Sequence, residues 1–410
     1  MTISIKKLHT GKALRRAALG VVLLLVPMPS LAQSYSVVST FGGNAGGAFP
    51  YGTMSRDAKG NTYGTTLNTD GANGGTGFGV VYTVSPTGTQ SVLHTFAGAP
   101  SDGGNPLTGV IHSNGVIYAA TTSGGNSTKC AAGCGVVYTL STAGETILHN
   151  FAGGSDGAGP VGRLIIDGSK NVYGVTQFGG NSACLQGCGT IFEVTAGGKE
   201  IVGHRFTGKD GQYPLSGLLL SGSAAYGTTS QGGTFGFGTV FKIDTTGKLT
   251  TLYNFQGGTD GAGPAGTLVQ DRAGNLYGTT FNGGGSTSCS GGCGAIFKIA
   301  TNGKESVLYR FAGGADGANP LGNLVIDLDG NIFGVANAGG VGSPGLGVIF
   351  ELNAAGVQSV VHSFAGGADG QNPYGGLERD NNDSLYGTAV FGGDLSCAAT
   401  GCGLTFVAHP

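Results

Sequence analysis

One unit of about 54 residues recurs from residue 35 to the end of the chain, and this period constrains the fold more than any other feature. Each unit opens on a proline: Pro50, Pro106, Pro160, Pro214, Pro264, Pro320 and Pro373. A short apolar run follows, as in Pro320-Leu-Gly-Asn-Leu-Val-Ile-Asp327. Proline has no N–H to donate, so it suits the first position of a strand. A turn rich in Asp, Gly and Asn comes next, as in Asp271-Arg-Ala-Gly-Asn275. Asp and Asn bond their own turn backbone, and Gly accepts positive φ.

The second run carries Tyr-Gly or a variant, at Tyr63, Tyr118, Tyr173, Tyr226, Tyr277, Phe333 and Tyr386. A glycine-rich loop leads to a third run centred on Tyr82, Tyr138, Phe192, Phe241, Phe297, Phe350 and Phe406. The fourth ends in Phe96, Phe151, Phe206, Phe255, Phe311 and Phe364, with Phe41 as the seventh copy near the start. Four short runs joined by tight turns predict four antiparallel strands, one blade of a β-propeller. The expected fold is all-β: a seven-bladed propeller over residues 33–410, with an open β-solenoid as the competing architecture. The phase favours the ring. A lone fourth strand, from Tyr35 to Phe41, begins the repeat region, and the last unit stops after three strands. The first strand is therefore expected to complete the last blade. Glycine, at 85 of 410 residues, reads as turn chemistry rather than disorder, because the apolar blocks alternate regularly between the turns.

Residues 1–32 differ from the rest. Lys6, Lys7, Lys12, Arg15 and Arg16 precede an apolar run from Ala17 to Val26, and Ser30-Leu31-Ala32 offers small residues for cleavage. This predicts a secretory signal peptide cut after Ala32. The apolar run is short for a bilayer span, and no later segment predicts one. The chain has 20 Lys+Arg and 22 Asp+Glu; without the leader's five basic residues, 15 face 22, a net charge near −7. No basic stripe remains for a phosphate backbone, which argues against nucleic acid as a partner. A secreted or periplasmic protein, acting as a monomer, is expected.

The run Gly-Ala-Asn-Pro, Leu-Val-Ile-Asp, Gly-Asn and Tyr-Gly-Thr-Thr with Gly-Gly resembles the tandem GloVer repeat of exported bacterial choice-of-anchor proteins, most clearly at 260–284 and 316–340. The similarity covers residues 35–410. It implies export and a repeat architecture, with no established activity or catalytic residues. Members of that family carry various C-terminal anchors; this chain ends at Val407-Ala-His-Pro410, so a soluble form is expected.

All eight cysteines fall in the loop between second and third strands, as Cys130/Cys134, Cys184/Cys188, Cys289/Cys293 and Cys397/Cys402. In an exported chain these read as four local disulfides pinning glycine-rich loops. A thiolate metal site would need about four ligands in one place, and the pairs lie in different units.

Strand direction puts the cysteine loops and the loops entering each first strand on one face. That face carries Asp102, Asp156, Asp210, Asp260, Asp316 and Asp369, each followed by Gly, while the first unit has Gly46-Gly47 instead. A ring of carboxylates could attract calcium or hydrogen-bond a sugar; the simpler reading is that each Asp caps its own turn. No calcium-loop pattern is present, and no cofactor is expected. His94, His149, His204 and His362 share one position in the fourth strand, where other units have Tyr253 and Tyr309, which suggests packing rather than metal binding. His112, Arg163, Glu378 and Arg379 are the few unit-specific candidates for chemistry. The expected function is a non-catalytic binding or scaffold module for an extracellular or periplasmic ligand, whether glycan, surface protein or small molecule. The alternative is a secreted propeller lyase or hydrolase with its site over the central channel.

Overall fold

The computed structural model describes residues 33–43, 46–69, 77–342, 345–397 and 400–410. The expected leader, residues 1–32, lies outside the described residues. No helix among the described residues is long and apolar enough to cross a membrane.

The chain forms a seven-bladed β-propeller of antiparallel sheets. Blade 1 holds Ser55–Arg56, Thr62–Thr66, Val80–Val84 and Gln90–Thr95, from inner to outer strand. Blade 2 holds Ile111–Ser113, Val116–Thr121, Val136–Ser141 and Gly144–Asn150, and blade 3 holds Ala158–Ile166, Val172–Phe178, Thr190–Val194 and Glu200–Arg205. Blade 4 holds Leu219–Ser221, Ala224–Thr229, Thr239–Asp244 and Leu249–Asn254. In blade 5 the inner strand is split into Ala262–Pro264 and Val269–Gln270, before Leu276–Asn282, Ala295–Ile299 and Glu305–Arg310. Blade 6 holds Ala318–Ile326, Ile332–Ala338, Val348–Leu352 and Gln358–Ser363.

Blade 7 closes the ring. Its first three strands come from the C-terminus: Gln371–Pro373 with Glu378–Arg379, then Leu385–Phe391, then Leu404–His409. Its outer strand is Ser34–Thr40, paired antiparallel with the last strand from Ser34 opposite His409 to Thr40 opposite Leu404.

The core is divided among the seams between blades, each with its own cluster of buried apolar residues. One aromatic pair anchors every seam. The outer-strand Phe of each blade meets the third-strand ring of the next edge-on, as Phe96–Tyr138 at 5.3 Å, Phe151–Phe192 at 5.0 Å and Phe311–Phe350 at 5.2 Å. Phe41 meets Tyr82 at 4.8 Å in the closing seam. Edge-on pairs at this distance add to the gain from burial. The glycine of Tyr-Gly serves its own sheet rather than a neighbouring one: a Cβ on Gly278 would stand 2.5 Å from the Phe297 ring, so the ring can lie over the bare backbone.

The prolines also act between blades. The glycine before each third strand lies under the next blade's proline; a Cβ on Gly135 would be 2.6 Å from Pro160 Cδ, and one on Gly403 2.5 Å from Pro50 Cδ. Both glycines have positive φ. Steric room and backbone conformation therefore demand glycine together.

All four expected disulfides form, as Cys130–Cys134, Cys184–Cys188, Cys289–Cys293 and Cys397–Cys402, with Cα–Cα separations of 5.0–5.2 Å. Their place gives them a second role beside the expected pinning of glycine-rich loops. Cys134, Cys188, Cys293 and Cys402 are buried, as is Cys397, and none is more than 2% exposed. Each second cysteine belongs to a seam cluster together with an outer-strand ring: Cys134 with Phe151, Cys188 with Phe206, Cys293 with Phe311 and Cys402 with Phe41. The physical reason is position. Only one glycine separates this cysteine from the third strand or its first bridge, so the chain carries the sulfur under the loop and into the seam. A bridged sulfur has no charge and no strong donor to desolvate, so it packs there as an apolar group. The disulfides therefore extend four seams as well as fastening their loops.

Candidate functional site

The Asp-Gly loops and the cysteine loops share a face, as strand direction requires: Gly125 N–H donates to Asp102 O, and Gly180 N–H to Gly154 O, joining the two kinds of loop. The six aspartates are turned toward their own blades, and Asp102 is buried outright. Asp316 Oδ2 accepts the Ala312 N–H at 2.7 Å and the Tyr309 hydroxyl at 2.9 Å. Asp369 Oδ2 accepts the Ala365 N–H at 2.7 Å and pairs with His362 Nε2 at 3.0 Å. The same pattern joins Asp102 to His94, Asp156 to His149, Asp210 to His204 and Asp260 to Tyr253. The outer-strand position accepts either His or Tyr because both present a donor to the loop carboxylate. This pairing supplies a reason for the alternation that packing alone does not.

In three seams the next blade adds a glutamate from the start of its outer strand. Glu145 approaches His94 at 3.7 Å, and Glu200 and Glu305 hold the equivalent place in blades 3 and 5. Their Oε1 atoms are buried without a hydrogen-bond partner among the described residues. Burial pushes all three carboxyls up to about 7, and the neighbouring Asp102, Asp156 and Asp260 charges push in the same direction. Asp102 stays low despite burial, because His94 and the Ala97 N–H stabilise its charge. Adjacent blades thus bring metal-type ligands together after all: His94, Asp102 and Glu145 form one group and His149, Asp156 and Glu200 another, with ligand atoms within 4.8 Å of one another.

The unit-specific candidates are also engaged. His112 stacks flat on Tyr63 of the preceding blade, with ring centroids 4.3 Å apart. Arg56 occupies the equivalent inner-strand position one blade earlier and lies 3.6 Å over Tyr386. Arg163 and Glu378, in blades 3 and 7, meet across the channel at 3.2 Å. Asn323 Nδ2 donates to Thr53 Oγ1 at 3.0 Å, joining blades 6 and 1. Arg379 pairs with Asp383 on its own turn. The Arg163–Glu378 and Asn323–Thr53 contacts thus join blades that are not neighbours in the ring.

The mouth on the loop face has a different character. Tyr51 and Tyr374, each the residue after its unit's proline, pack edge-on at 4.9 Å, and Phe49–Phe391 and, between blades 3 and 4, Phe178–Tyr213 form further edge-on pairs among the loops of this face. Phe49 and Tyr213 hold left-handed backbone, at φ 63° and 53°. That conformation is uncommon for an aromatic residue and is found where the surrounding structure imposes it. A pit of about 550 Å³ opens here, lined by Leu215, Phe237, Phe281, Leu321 and Tyr374 together with the amides of Gln231, Asn282 and Asn337. Its described lining contains no carboxylate, imidazole or amine.

No curated protein sequence matches the chain. Among solved structures, virginiamycin B lyase from Staphylococcus aureus is similar, at 14% identity and a TM-score of 0.60, covering 92% of this chain and 100% of that one. The extracellular domain of a one-component system from B. thetaiotaomicron is similar at 10% identity and a TM-score of 0.51, over 92% of this chain and 40% of that one. At such identities the likeness is one of fold. The family model for the Gloeobacter/Verrucomicrobia repeat matches residues 20–222, 72–290 and 182–400. The chain belongs to that repeat family, and its repeats are the blades of the propeller.

Proposed function

We propose that this protein is an exported, non-catalytic binding module that takes neutral sugar residues of a glycan at the channel mouth of its loop face. The observation that carries the reading is the composition of the pit: aromatic and aliphatic walls with three carboxamides and no ionisable acid–base pair. Aromatic rings cover the apolar C–H face of a sugar, and amides donate to and accept from its hydroxyls. General acid–base or nucleophilic catalysis needs a titratable pair within reach of one bound atom. The residues best suited to such a role, Arg163, Glu378 and His112, are held in cross-blade contacts instead. The four disulfides fit an oxidising compartment, in keeping with export.

The test is a glycan array probed with the purified protein, followed by calorimetry on the best hit. Tyr374→Ala and Asn337→Ala are expected to weaken binding at least about tenfold without loss of fold. Binding that survives both substitutions, or turnover of the bound glycan, would overturn the reading.

A further inference from the structure

The seven seams are filled from the same positions, so a missing side chain is conspicuous. Every outer strand carries a bulge opposite the third-strand aromatic. The bulged residues are Val38, Leu93, Leu148, Gly203, Leu252, Leu308 and Val361. Val38, Leu148, Leu252, Leu308 and Val361 pack against the core of their seams. Leu93 is turned outward and exposed, and Gly203, between blades 3 and 4, has no side chain to offer.

Nothing local requires glycine there. Gly203 is absent from the positive-φ residues of the chain. A Cβ built on it would meet Ile191 O at 3.6 Å and Ile243 Cδ1 at 3.9 Å, both ordinary contacts. Glycine inside a strand weakens the strand and leaves nothing to pack. The result is a cavity of about 550 Å³ floored by Ile191, Phe192, Val202, Leu218 and Ile243, a size within the usual range for small-molecule sites. The same seam departs from its neighbours a second time: Leu249 stands where Glu145, Glu200 and Glu305 stand in other blades. That exchange makes this seam more apolar than those carrying the buried glutamates.

The rim of the cavity is acidic. Asp167, Glu193 and Asp244 line it, and no basic residue does. Lys248 stands beside Asp244 and offsets one charge. Asp167 and Glu193 have no ion-pair partner among the described residues. Partial desolvation would raise the pKa of Asp167, but hydrogen bonds from the Asn171 backbone, Tyr173 and Ser169 outweigh it and keep the carboxyl ionised.

We propose that the cavity between blades 3 and 4 binds a small apolar molecule carrying a cationic amine, with the apolar part in the space left by Gly203 and the amine at the Asp167–Glu193 rim. This site is separate from the channel mouth and does not depend on the glycan reading. The probe is dansylcadaverine, an apolar fluorophore on a primary amine, with anionic 8-anilinonaphthalene-1-sulfonate as its counterpart. The wild-type protein is expected to bind dansylcadaverine saturably, and the anionic dye at least about tenfold more weakly. Gly203→Leu restores the side chain found in other seams and is expected to weaken dansylcadaverine binding at least about tenfold while the melting temperature holds or rises. If Gly203→Leu fails to fold, Gly203→Ala supplies the test: its added methyl is expected to weaken binding by a smaller measurable factor. Tyr374→Ala, at the mouth, is expected to leave this binding unchanged. No saturable binding by the wild type, equal affinity in the filled variant, or equal affinity for the anionic dye would each overturn the proposal.

Discussion

The seams between blades and the mouth of the channel are drawn from the same repeat, yet they use it in opposite ways. At a seam, the anchoring positions repeat one job: a Phe meets a ring, a proline covers a glycine, and in six units an Asp accepts from its own turn and from a His or Tyr. At the mouth, the residue after the proline ranges from Ala265 to Tyr374, and the second-strand end ranges from Ser230 to Phe281. The aromatic and proline anchors that hold the ring together converge on one solution. Positions that face out over the channel are free to differ, and there the seven copies make one asymmetric surface.

The sharpest way to break this comparison is to open the ring. Deleting residues 33–43 removes the outer strand of blade 7 and the Phe41–Tyr82 contact together. The melting temperature is expected to fall by more than about 10 °C; an unchanged thermal melt would mean that the seam contacts hold the ring without closure. A point substitution separates the two regions more finely. Phe311→Ala removes a fully buried ring from a seam and is expected to cost about 3–5 kcal/mol in chemical denaturation. Tyr374→Ala removes a ring that is 40% exposed and is expected to cost within about 1 kcal/mol, with its effect on ligand binding instead.

The smallest expected effect is in pH dependence. Glu145, Glu200 and Glu305 have pKa values raised to about 7 in the folded protein, above their ordinary value of 4.5. Their contribution to stability is full below the unfolded value and is lost as pH rises through about 7. His94, also raised by its pairing with Asp102, acts in the same direction over part of this window. The aspartates with lowered pKa act oppositely, but only as pH falls toward their own range. The melting temperature should therefore drop by a few degrees between about pH 5 and pH 8.5. Replacing all three glutamates by glutamine should flatten that slope; an unaltered slope would remove them as its source.

Blade number, strand order, closure and the disulfide pairing were legible in the sequence because each depends on residues spaced regularly along it. The burial of Cys134, Cys188, Cys293 and Cys402 was not, since it depends on how the next blade packs over the loop. The His/Tyr–Asp pairs were legible in principle: His149 and Asp156, Tyr253 and Asp260, and Tyr309 and Asp316 share one spacing, and the alternation of two hydrogen-bond donors was the signal. Their chemistry was hidden because the partner lies beyond a turn rather than on the same strand. The glutamates of the seams were harder to see, since Glu145 meets His94 only when adjacent blades pack. The channel cross-link was beyond reach for a similar reason. Arg163 and Glu378 stood out as unit-specific residues, but nothing in a linear period says that blades 3 and 7 face each other. Gly203 looks like any other glycine until the register of the outer-strand bulges is known.

The pairing of Ser34–Thr40 with Leu404–His409 also sets an order of events. Blades 1 to 6 are each made of consecutive strands and can form while the chain is still emerging. Blade 7 cannot, because its two outermost strands come from opposite ends of the chain. The first strand has to wait with its edge unpaired until the last one arrives, and closing so long a loop is the slow kind of contact to make. Until that moment the molecule is an open arc with exposed strand edges at both ends, the form most open to pairing with another chain.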